Sequence, residues 1–233
     1  MHNFNKLDID RIVFIGRTFD EYASMFNLSD QLLNKGQILD CAAGPSSFTA
    51  EAAVRGYDVT ASDCLYDVKR GTLVDKAGDD IKYIFNKFDD VSHLFRWTYY
   101  KNKEDVISLR KKALDIFSKD FTEGYRSGRY RSDTLPSLPF VDRHFNLVLC
   151  SHFLFLYNDR LDLDFHIKCL KEFSRVCSGE VRIYPLCGLD ALPYPYLDDV
   201  RRYLNDDRID SEVVKVHFEF QAGSNKMMVL KHL

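Results

Sequence analysis

Apolar positions near the start of the chain follow a helical period. Between residues 17 and 33 they recur every three or four positions, as at Phe19, Tyr22 and Phe26, which is typical of an amphipathic helix. We therefore expect an N-terminal capping helix over about residues 8–34. Its apolar face would pack over the domain that follows it.

A strand, a turn, a helix and a second strand come next. Residues 38–41 form a short apolar run, small residues follow them, and residues 48–54 favour a helix. Gly56 stands where a glycine would end that helix, and residues 57–62 are rich in strand formers. The pattern predicts one β-α-β unit that ends at Asp63.

Residues 64–129 interrupt this alternation. One amphipathic helix is marked by Val106, Leu109, Ala113, Ile116 and Phe117, and an aromatic cluster precedes it at Phe95, Trp97, Tyr99 and Tyr100. A crossover between parallel strands needs only about a dozen residues, so we expect a helical insertion that lies above the functional site. Its aromatic cluster suits either a pocket wall or plain core.

The second half of the chain returns to strands. They are predicted at residues 130–132, 145–151, 181–186, 213–220 and 226–231. A helix would begin after Asn158 or Asp159 and end at residues 178–179, and a short helix would surround residues 197–204. The four residues Ala222-Gly-Ser-Asn are short enough for a hairpin turn between the last two strands.

This order of elements predicts an α/β fold. We expect a doubly wound, seven-stranded, mostly parallel sheet in three α/β/α layers, with a terminal antiparallel hairpin and the helical insertion after the second strand. Since 233 residues with 45% hydrophobic content can bury one sizeable core, a single domain over residues 1–233 is expected.

Charge and cysteine content limit the classes of partner and the kinds of site that are expected. The chain has 32 basic and 35 acidic residues, so no global field would attract nucleic acid or an acidic membrane, and a small-molecule partner is expected. The apolar stretch at residues 145–157 is too short and too polar to span a bilayer. Six scattered cysteines without a C-x-x-C pair predict reduced thiols, a cytoplasmic location and no metal site.

The turn after the first strand is the candidate ligand site. In a doubly wound sheet, ligands bind beyond the carboxyl ends of the strands at the switch point. Asp63 follows Asp40 by 23 positions, a spacing that suits a carboxylate accepting hydrogen bonds from ribose hydroxyls. A nucleotide-like ligand is therefore expected there.

The residues of this turn resemble a known motif. Ile38-Leu-Asp-Cys-Ala-Ala-Gly resembles the first motif of class I S-adenosylmethionine-dependent methyltransferases, an acidic residue followed by alternating glycines. Asp40 and Gly44 keep this pattern, whereas Ala42 and Ser46 stand at glycine positions. Because S-adenosylmethionine brings no pyrophosphate to the turn, we expect both changes to be tolerated.

A second segment extends the resemblance. Residues 138–152 are similar to the stretch that leads into the fourth strand of these enzymes, with Asn146 where aspartate is usual. The predicted strand order and final hairpin also agree, so the resemblance covers nearly the whole chain except residues 64–129.

The resemblance implies S-adenosyl-L-methionine as cofactor and methyl transfer to a small molecule. It assigns ten residues to the cofactor: Asp40, Cys41, Ala42, Gly44, Asp63, Cys64, Thr134, Leu135, Ser151 and Arg17. Asp40 would organise the turn, the backbone after it would line the methionine part, and Asp63 would bind the ribose. Thr134 and Leu135 would flank the adenine, with the neighbouring Asp133 as the alternative to Thr134.

Four side chains have more specific expected roles, and for one of them two interpretations stay open. Ser151 would face the transferable methyl group, and Arg17 with Tyr22 could reach the methionine carboxylate. His152 suits a general base for an acceptor hydroxyl or amine, or else a histidine that only hydrogen-bonds at a strand end.

Two alternatives to a methyltransferase stay open. A nicotinamide-dependent oxidoreductase would use the same strand, turn and acidic residue, but its pyrophosphate needs the glycines that Ala42 and Ser46 replace. A non-catalytic ligand-binding or scaffold protein would account for the missing glycines and for Asn146. The acceptor, the methylated atom and the oligomeric state are not predicted.

Overall fold

The computed structural model describes residues 6–233; the first five residues of the expected domain lie outside them. Its helices are α1 (Phe19–Phe26), α2 (Asp30–Leu33), α3 (Phe48–Val54), α4 (Arg70–Lys87), α5 (Lys103–Arg126), α6 (Leu163–Val176) and α7 (Leu197–Asp206). Its strands are β1 (Ile38–Cys41), β2 (Val59–Ser62), β3 (Tyr130–Arg131), β4 (Phe145–Ser151), β5 (Cys177–Tyr184), β6 (Ile209–Lys215) and β7 (Lys226–His232).

The strands form one seven-stranded sheet in the order β3-β2-β1-β4-β5-β7-β6. The first five strands in this order are parallel, and β7 runs antiparallel to both β5 and β6. The order reverses between β1 and β4, which is the switch point of the sheet. The predicted doubly wound sheet and its terminal antiparallel hairpin are confirmed.

The central strands are buried on both faces. Along β4, Leu147 and Leu149 pack into one core and Val148 and Cys150 into another, because successive side chains of a strand point to opposite faces. The first core includes α1 and α3, and the second includes α6 and α7. The predicted three-layer arrangement follows from this alternation.

The helical insertion lies where the sequence predicts it. α4 and α5 lie between β2 and β3 and pack against each other, and a short 3-10 segment, Asp89–Leu94, follows α4. A third core of mainly aromatic side chains joins α5 to the edge of the sheet through Phe117, Phe121 and Tyr130.

The predicted N-terminal helix over about residues 8–34 is wrong in its extent. Residues 6–18 contain no helix, and two short helices follow. Thr18 starts α1 with a capping box, in which its side chain accepts a hydrogen bond from the Glu21 N–H and the Glu21 side chain accepts one from the Thr18 N–H. Asn27 ends α1 in the left-handed conformation, with φ 48°.

Three boundaries in the second half also differ from the prediction. α6 is capped by Asp162, whose side chain accepts a hydrogen bond from the Phe165 N–H, and not by Asn158 or Asp159. β5 begins at Cys177, directly after α6, where the sequence predicts a helix end at residues 178–179 and a strand only from 181. β5 is long because it pairs with β4 from Phe145 onwards.

The sixth strand lies earlier than predicted. β6 ends at Lys215, although alternation of apolar residues continues to Phe220. Residues 216–220 leave the sheet and join the insertion, since the Arg96 N–H donates to the Phe220 carbonyl and the Ala222 N–H donates to the Leu94 carbonyl. Among residues 6–233, none of the helices has the length and apolar character that a membrane span needs.

Candidate functional site

A cavity of about 490 Å³ lies at the carboxyl ends of the parallel strands. Its wall includes Cys41 at the end of β1, Ser62 at the end of β2 with Asp63 directly after it, and Ser151 at the end of β4. Ligands of doubly wound sheets bind at this position, and the volume lies within the range of about 300–1,000 Å³ that is usual for small-molecule sites.

Nine of the ten residues assigned to a cofactor line this cavity. They are Arg17, Cys41, Ala42, Gly44, Asp63, Cys64, Thr134, Leu135 and Ser151. Tyr22, Asp133 and His152 line it as well. The structure thus brings together residues that are up to 135 positions apart in the chain, from Arg17 to His152.

Asp40 is the one assigned residue that does not reach the cavity wall. It is fully buried, and its Oδ1 accepts a hydrogen bond of 3.1 Å from the Tyr22 hydroxyl. Its Oδ2 has no partner within residues 6–233, and burial raises the pKa of Asp40 well above its ordinary value. Asp40 therefore holds the Tyr22 hydroxyl from behind the cavity wall, and its expected role in organising the turn stays a prediction.

The turn after β1 is shaped by two left-handed residues, Ala42 with φ 55° and Gly44 with φ 58°. The Ala43 N–H donates to the Ser62 carbonyl, and the Gly44 N–H donates to Asp63 Oδ2 at 2.9 Å. These amides are already bound within the protein. Ala43 and Gly44 still line the cavity, so their expected place beside the methionine part of the cofactor stays a prediction, while these two N–H groups hold the shape of the turn.

Asp63 links the turn to the second strand. Its Oδ2 accepts from Gly44 and its Oδ1 accepts from the Leu65 N–H at 3.0 Å. Burial raises the pKa of Asp63, although these two amides oppose that shift. Since a carboxylate can accept about four hydrogen bonds, two positions remain for ligand hydroxyls at the cavity wall.

The segment before α1 crosses directly over this turn. The Arg17 N–H donates to Ser46 Oγ at 3.1 Å, and the Ser47 N–H donates to the Arg17 carbonyl at 3.0 Å. A methyl group on Gly16 would lie 2.0 Å from the Pro45 carbonyl oxygen. Glycine at position 16 thus permits the two backbones to touch.

The Arg17 side chain is the unpaired charge of the site. No acceptor within residues 6–233 pairs with its guanidinium, which lies in the cavity wall. Burial and the nearby Arg110 lower the pKa of Arg17, but a guanidinium stays protonated in proteins. A cation in this environment favours an anionic group in the ligand.

A buried ion pair fastens the insertion over the cavity. Arg110 of α5 donates to Glu21 of α1 and to the Gly16 carbonyl, and Tyr100 donates to Glu21. The side chains of Arg110 and Glu21 are 4% and 1% exposed. Burial alone would raise the pKa of Glu21, but the Arg110 guanidinium lowers it to about 2.

The insertion also anchors the N-terminal segment through Asp80 of α4. Asp80 Oδ2 accepts from the Phe14 N–H at 2.8 Å and from Lys76 Nζ at 2.9 Å, and its Oδ1 accepts from Arg11 Nε at 2.9 Å. This anchor was not predicted from the sequence. A signal for it exists, because Asp80 lies on the apolar stripe of α4 one heptad after Leu73.

His152 stands at the base of the cavity in a strained conformation, with φ 51°. Its N–H donates to the Tyr184 carbonyl, and its Nδ1 shares a hydrogen bond of 2.8 Å with Ser151 Oγ. Burial, reinforced by Arg17 and Arg110, lowers the pKa of His152 well below 6.5. The imidazole is therefore neutral at physiological pH, and its lowered pKa makes it a weak base.

The aromatic cluster of the insertion divides between the two expected roles. Phe95 lines the cavity, whereas Tyr100 is buried in the ion-pair network. Trp97 is 41% exposed and does not line the cavity. Within the described part of the chain, no group of three or more potential ligands is placed to hold a metal ion.

No protein-family model matches the chain. Solved structures with a similar fold include an S-adenosylmethionine-dependent methyltransferase from Aquifex aeolicus, at 13% identity and TM-score 0.41 over 90% of each chain. Another is a putative S-adenosylmethionine-dependent methyltransferase from Methanococcus maripaludis, at 12% identity and TM-score 0.42 over 97% of this chain and 96% of that one. With TM-scores below 0.5, these similarities carry no weight for the function.

Sequence similarity to a curated protein is much stronger. The chain is 31% identical over 226 residues to the uncharacterized protein MJ0045 of Methanocaldococcus jannaschii, and the alignment covers 97% of this chain and 98% of that protein. The chain belongs to the same protein family as MJ0045.

Proposed function

We propose that this protein is an S-adenosylmethionine-dependent methyltransferase that acts on a small molecule. One observation carries the proposal: a single cavity is lined by the turn after β1, by Asp63 and by the unpaired Arg17. This set offers a carboxylate for ribose hydroxyls and a cation for an amino-acid carboxylate. The resemblance to class I methyltransferases implies the same two roles.

The residues present fit the adenosyl ligand in three ways. Asp63 keeps acceptor capacity after binding Gly44 and Leu65. Arg17 is a cation in the cavity wall that lacks a counter-ion among residues 6–233. The cavity itself is open, and its volume suits a small molecule.

Bound S-adenosylmethionine would supply a methyl group on a positively charged sulfur, which is already activated for transfer to a nucleophile. The protein then needs mainly to orient the reactants and to exclude water. Arg17 and Asp63 would fix the two ends of the cofactor. The segment over residues 14–18, held by Ser46 and Asp80, covers the cavity. His152 offers a neutral imidazole that could receive a proton from the acceptor.

The proposal includes a cytoplasmic location. All six cysteines are free thiols, and five of them are buried. Free thiols suit the reducing environment of the cytosol.

Titration calorimetry tests the cofactor on which this function depends. We expect S-adenosylmethionine and S-adenosylhomocysteine to bind with a stoichiometry of one and NAD to show no heat of binding. Binding of NAD in place of the adenosyl compounds would instead favour the oxidoreductase. If none of the three binds to the folded protein, the scaffold alternative is correct.

A further inference from the structure

One side of the cavity is walled by apolar and aromatic side chains. We call this region the acceptor chamber and define it by Leu7, Phe88, Phe95, Tyr184, Leu189 and Phe220, all of which line the cavity. They come from four separate parts of the chain, so only the folded protein assembles them.

Direct contacts join the three phenylalanines of the acceptor chamber to one another and Leu7 to Leu189. The ring centroids of Phe220 and Phe95 are 4.7 Å apart, and those of Phe220 and Phe88 are 5.9 Å apart. The Leu7 N–H donates to the Leu189 carbonyl at 3.1 Å. The Tyr184 hydroxyl is already bound, since it donates to Ser224 Oγ at 3.0 Å. Tyr184 therefore contributes its ring to the acceptor chamber.

The acceptor chamber lies beside His152. The His152 N–H donates to the Tyr184 carbonyl, and the two rings are 5.2 Å apart. The acceptor chamber is therefore next to β5, while Asp63 and the turn after β1 lie at the β1–β2 side of the cavity. A donor bound at Asp63 would leave the acceptor chamber for a second molecule.

No charged side chain of the cavity is left for that second molecule. Five charged residues line the cavity: Arg17, Asp63, Lys76, Arg110 and Asp133. Lys76 pairs with Asp80, Arg110 with Glu21 and Asp133 with Arg131. The proposed function assigns Arg17 and Asp63 to the methyl donor.

A charged acceptor would lose its hydration in this apolar region without gaining a counter-ion, which costs several kcal/mol. An uncharged acceptor would instead gain free energy from burial against aromatic rings. Neutral polar groups for orientation are present in Gln221 and Ser224, which line the same side of the cavity.

We propose that the methyl acceptor is an uncharged, mainly apolar compound, bound in the acceptor chamber beside His152. This inference rests on the proposed function, because it assigns Arg17 and Asp63 to the donor.

Two probes that share the naphthalene ring test it: 1-naphthol, a neutral phenol, and 1-naphthoate, an anion. Each is titrated into the full-length protein saturated with S-adenosylhomocysteine. We expect 1-naphthol to bind at least about tenfold more tightly than 1-naphthoate. Equal or tighter binding of 1-naphthoate overturns the proposal, and so does a failure of 1-naphthol to bind.

A variant places the probe in the acceptor chamber. Phe220→Leu should weaken 1-naphthol binding by about fivefold through the loss of ring contacts, while S-adenosylhomocysteine binds as before and thereby shows that the variant is folded. Phe140→Leu is the matched control, since Phe140 is also half-buried but lies outside the cavity. If Phe220→Leu leaves 1-naphthol affinity unchanged, the probe binds elsewhere and the proposal fails.

The titrations separate this inference from the function on which it rests. Absence of S-adenosylhomocysteine binding rejects the methyltransferase and the acceptor assignment together. Binding of S-adenosylhomocysteine without binding of 1-naphthol rejects the acceptor assignment alone.

Discussion

Ser46 shows why this chain departs from the motif that it resembles. Its Oγ accepts the Arg17 N–H at 3.1 Å and lies 3.3 Å from the Tyr22 hydroxyl, which in turn donates to Asp40. Glycine could make neither contact. The serine therefore holds the segment over residues 14–18 against the turn. This departure from the motif reflects a different way of closing the same site.

At Asp63, the structure gives the carboxylate two tasks. Asp63→Ala would remove the acceptor for ribose hydroxyls and release the Gly44 amide. We expect the affinity for S-adenosylhomocysteine and for 5′-methylthioadenosine to fall by about 1–3 kcal/mol each, because both carry the ribose. Calorimetry measures this, with Asp67→Ala as the control at an exposed neighbouring carboxylate. Unchanged affinity in a folded Asp63→Ala variant would reject the assignment.

Arg17 should discriminate between the same two ligands. Arg17→Gln should weaken S-adenosylhomocysteine by about 1.5–3 kcal/mol, because a hydrogen bond to a charged group is lost. 5′-Methylthioadenosine lacks the amino-acid carboxylate, so its affinity should stay the same. Arg126→Gln at an exposed arginine is the control. An equal loss for both ligands would show that Arg17 does not bind the carboxylate.

Site residues at the ends of strands could be predicted from the sequence. Asp63 directly follows β2 and Ser151 is the last residue of β4, and the carboxyl ends of parallel strands meet at one edge of a sheet. Asp80 and Arg110 could not be assigned in this way, because their partners Phe14 and Glu21 are more than 60 positions away. Only their charge within an apolar helical stripe pointed to them.

At the scale of elements, central strands were easier to predict than the segments that cover them. β4 has the predicted bounds because its side chains are apolar on both faces. β6 was displaced because the alternation of residues 213–220 serves two partners, first β7 and then the insertion. Alternation of apolar and polar residues predicts that a segment is extended, but it does not identify the segment with which it pairs.

The pair of Glu21 and Arg110 is the main polar link between α1 and α5. Arg110→Met should destabilise the protein by about 3–5 kcal/mol, because it leaves the buried Glu21 carboxylate without its counter-ion. Adding Glu21→Gln should recover part of this loss, because the amide is uncharged and still accepts from the Thr18 N–H. Urea unfolding measures both free energies.

A second ion pair on α5 supplies the control. Lys119 and Asp115 are 73% and 60% exposed, so Lys119→Met should cost less than about 1 kcal/mol. If Arg110→Met costs no more than Lys119→Met, or if Glu21→Gln adds to the damage, the pair does not act as a buried link.

At the scale of the whole molecule, the protein has a core on each face of one sheet. The burial of two histidines in this structure makes its free energy of unfolding depend on pH. His152 lies at the cavity and His166 lies in the second core, against the rings of Phe155 and Tyr194, whose centroids are 5.3 Å and 4.9 Å from its own. Burial lowers the pKa of both His152 and His166. The strand order could be predicted from the sequence, but these burials depend on packing across the sheet and could not.

The sign of the pH effect follows from these shifts. Below about pH 6.5 the unfolded chain binds protons at both histidines, while the folded protein, with each histidine pKa lowered, does not. The free energy of unfolding therefore falls as the pH drops from 6.5 towards the folded-state values. The raised pKa of the buried Asp40 acts in the opposite direction, so a variant is needed to isolate one histidine.

His166→Phe removes one of these contributions and keeps the ring stack. Nε2 of His166 is buried without a partner among residues 6–233, so phenylalanine loses little there beyond the contact of Nδ1 with the Asp162 carbonyl. Relative to the wild type, the variant should gain up to about 1.4 kcal/mol in unfolding free energy for each pH unit between 6.5 and 5. Urea unfolding at pH 7.5, 6 and 5 measures this gain. Phe155→Leu is the control, since it trims the same stack without a titratable group and should cost the same at every pH. A His166→Phe difference that is constant with pH would mean that the folded protein takes up a proton at His166 as readily as the unfolded chain does.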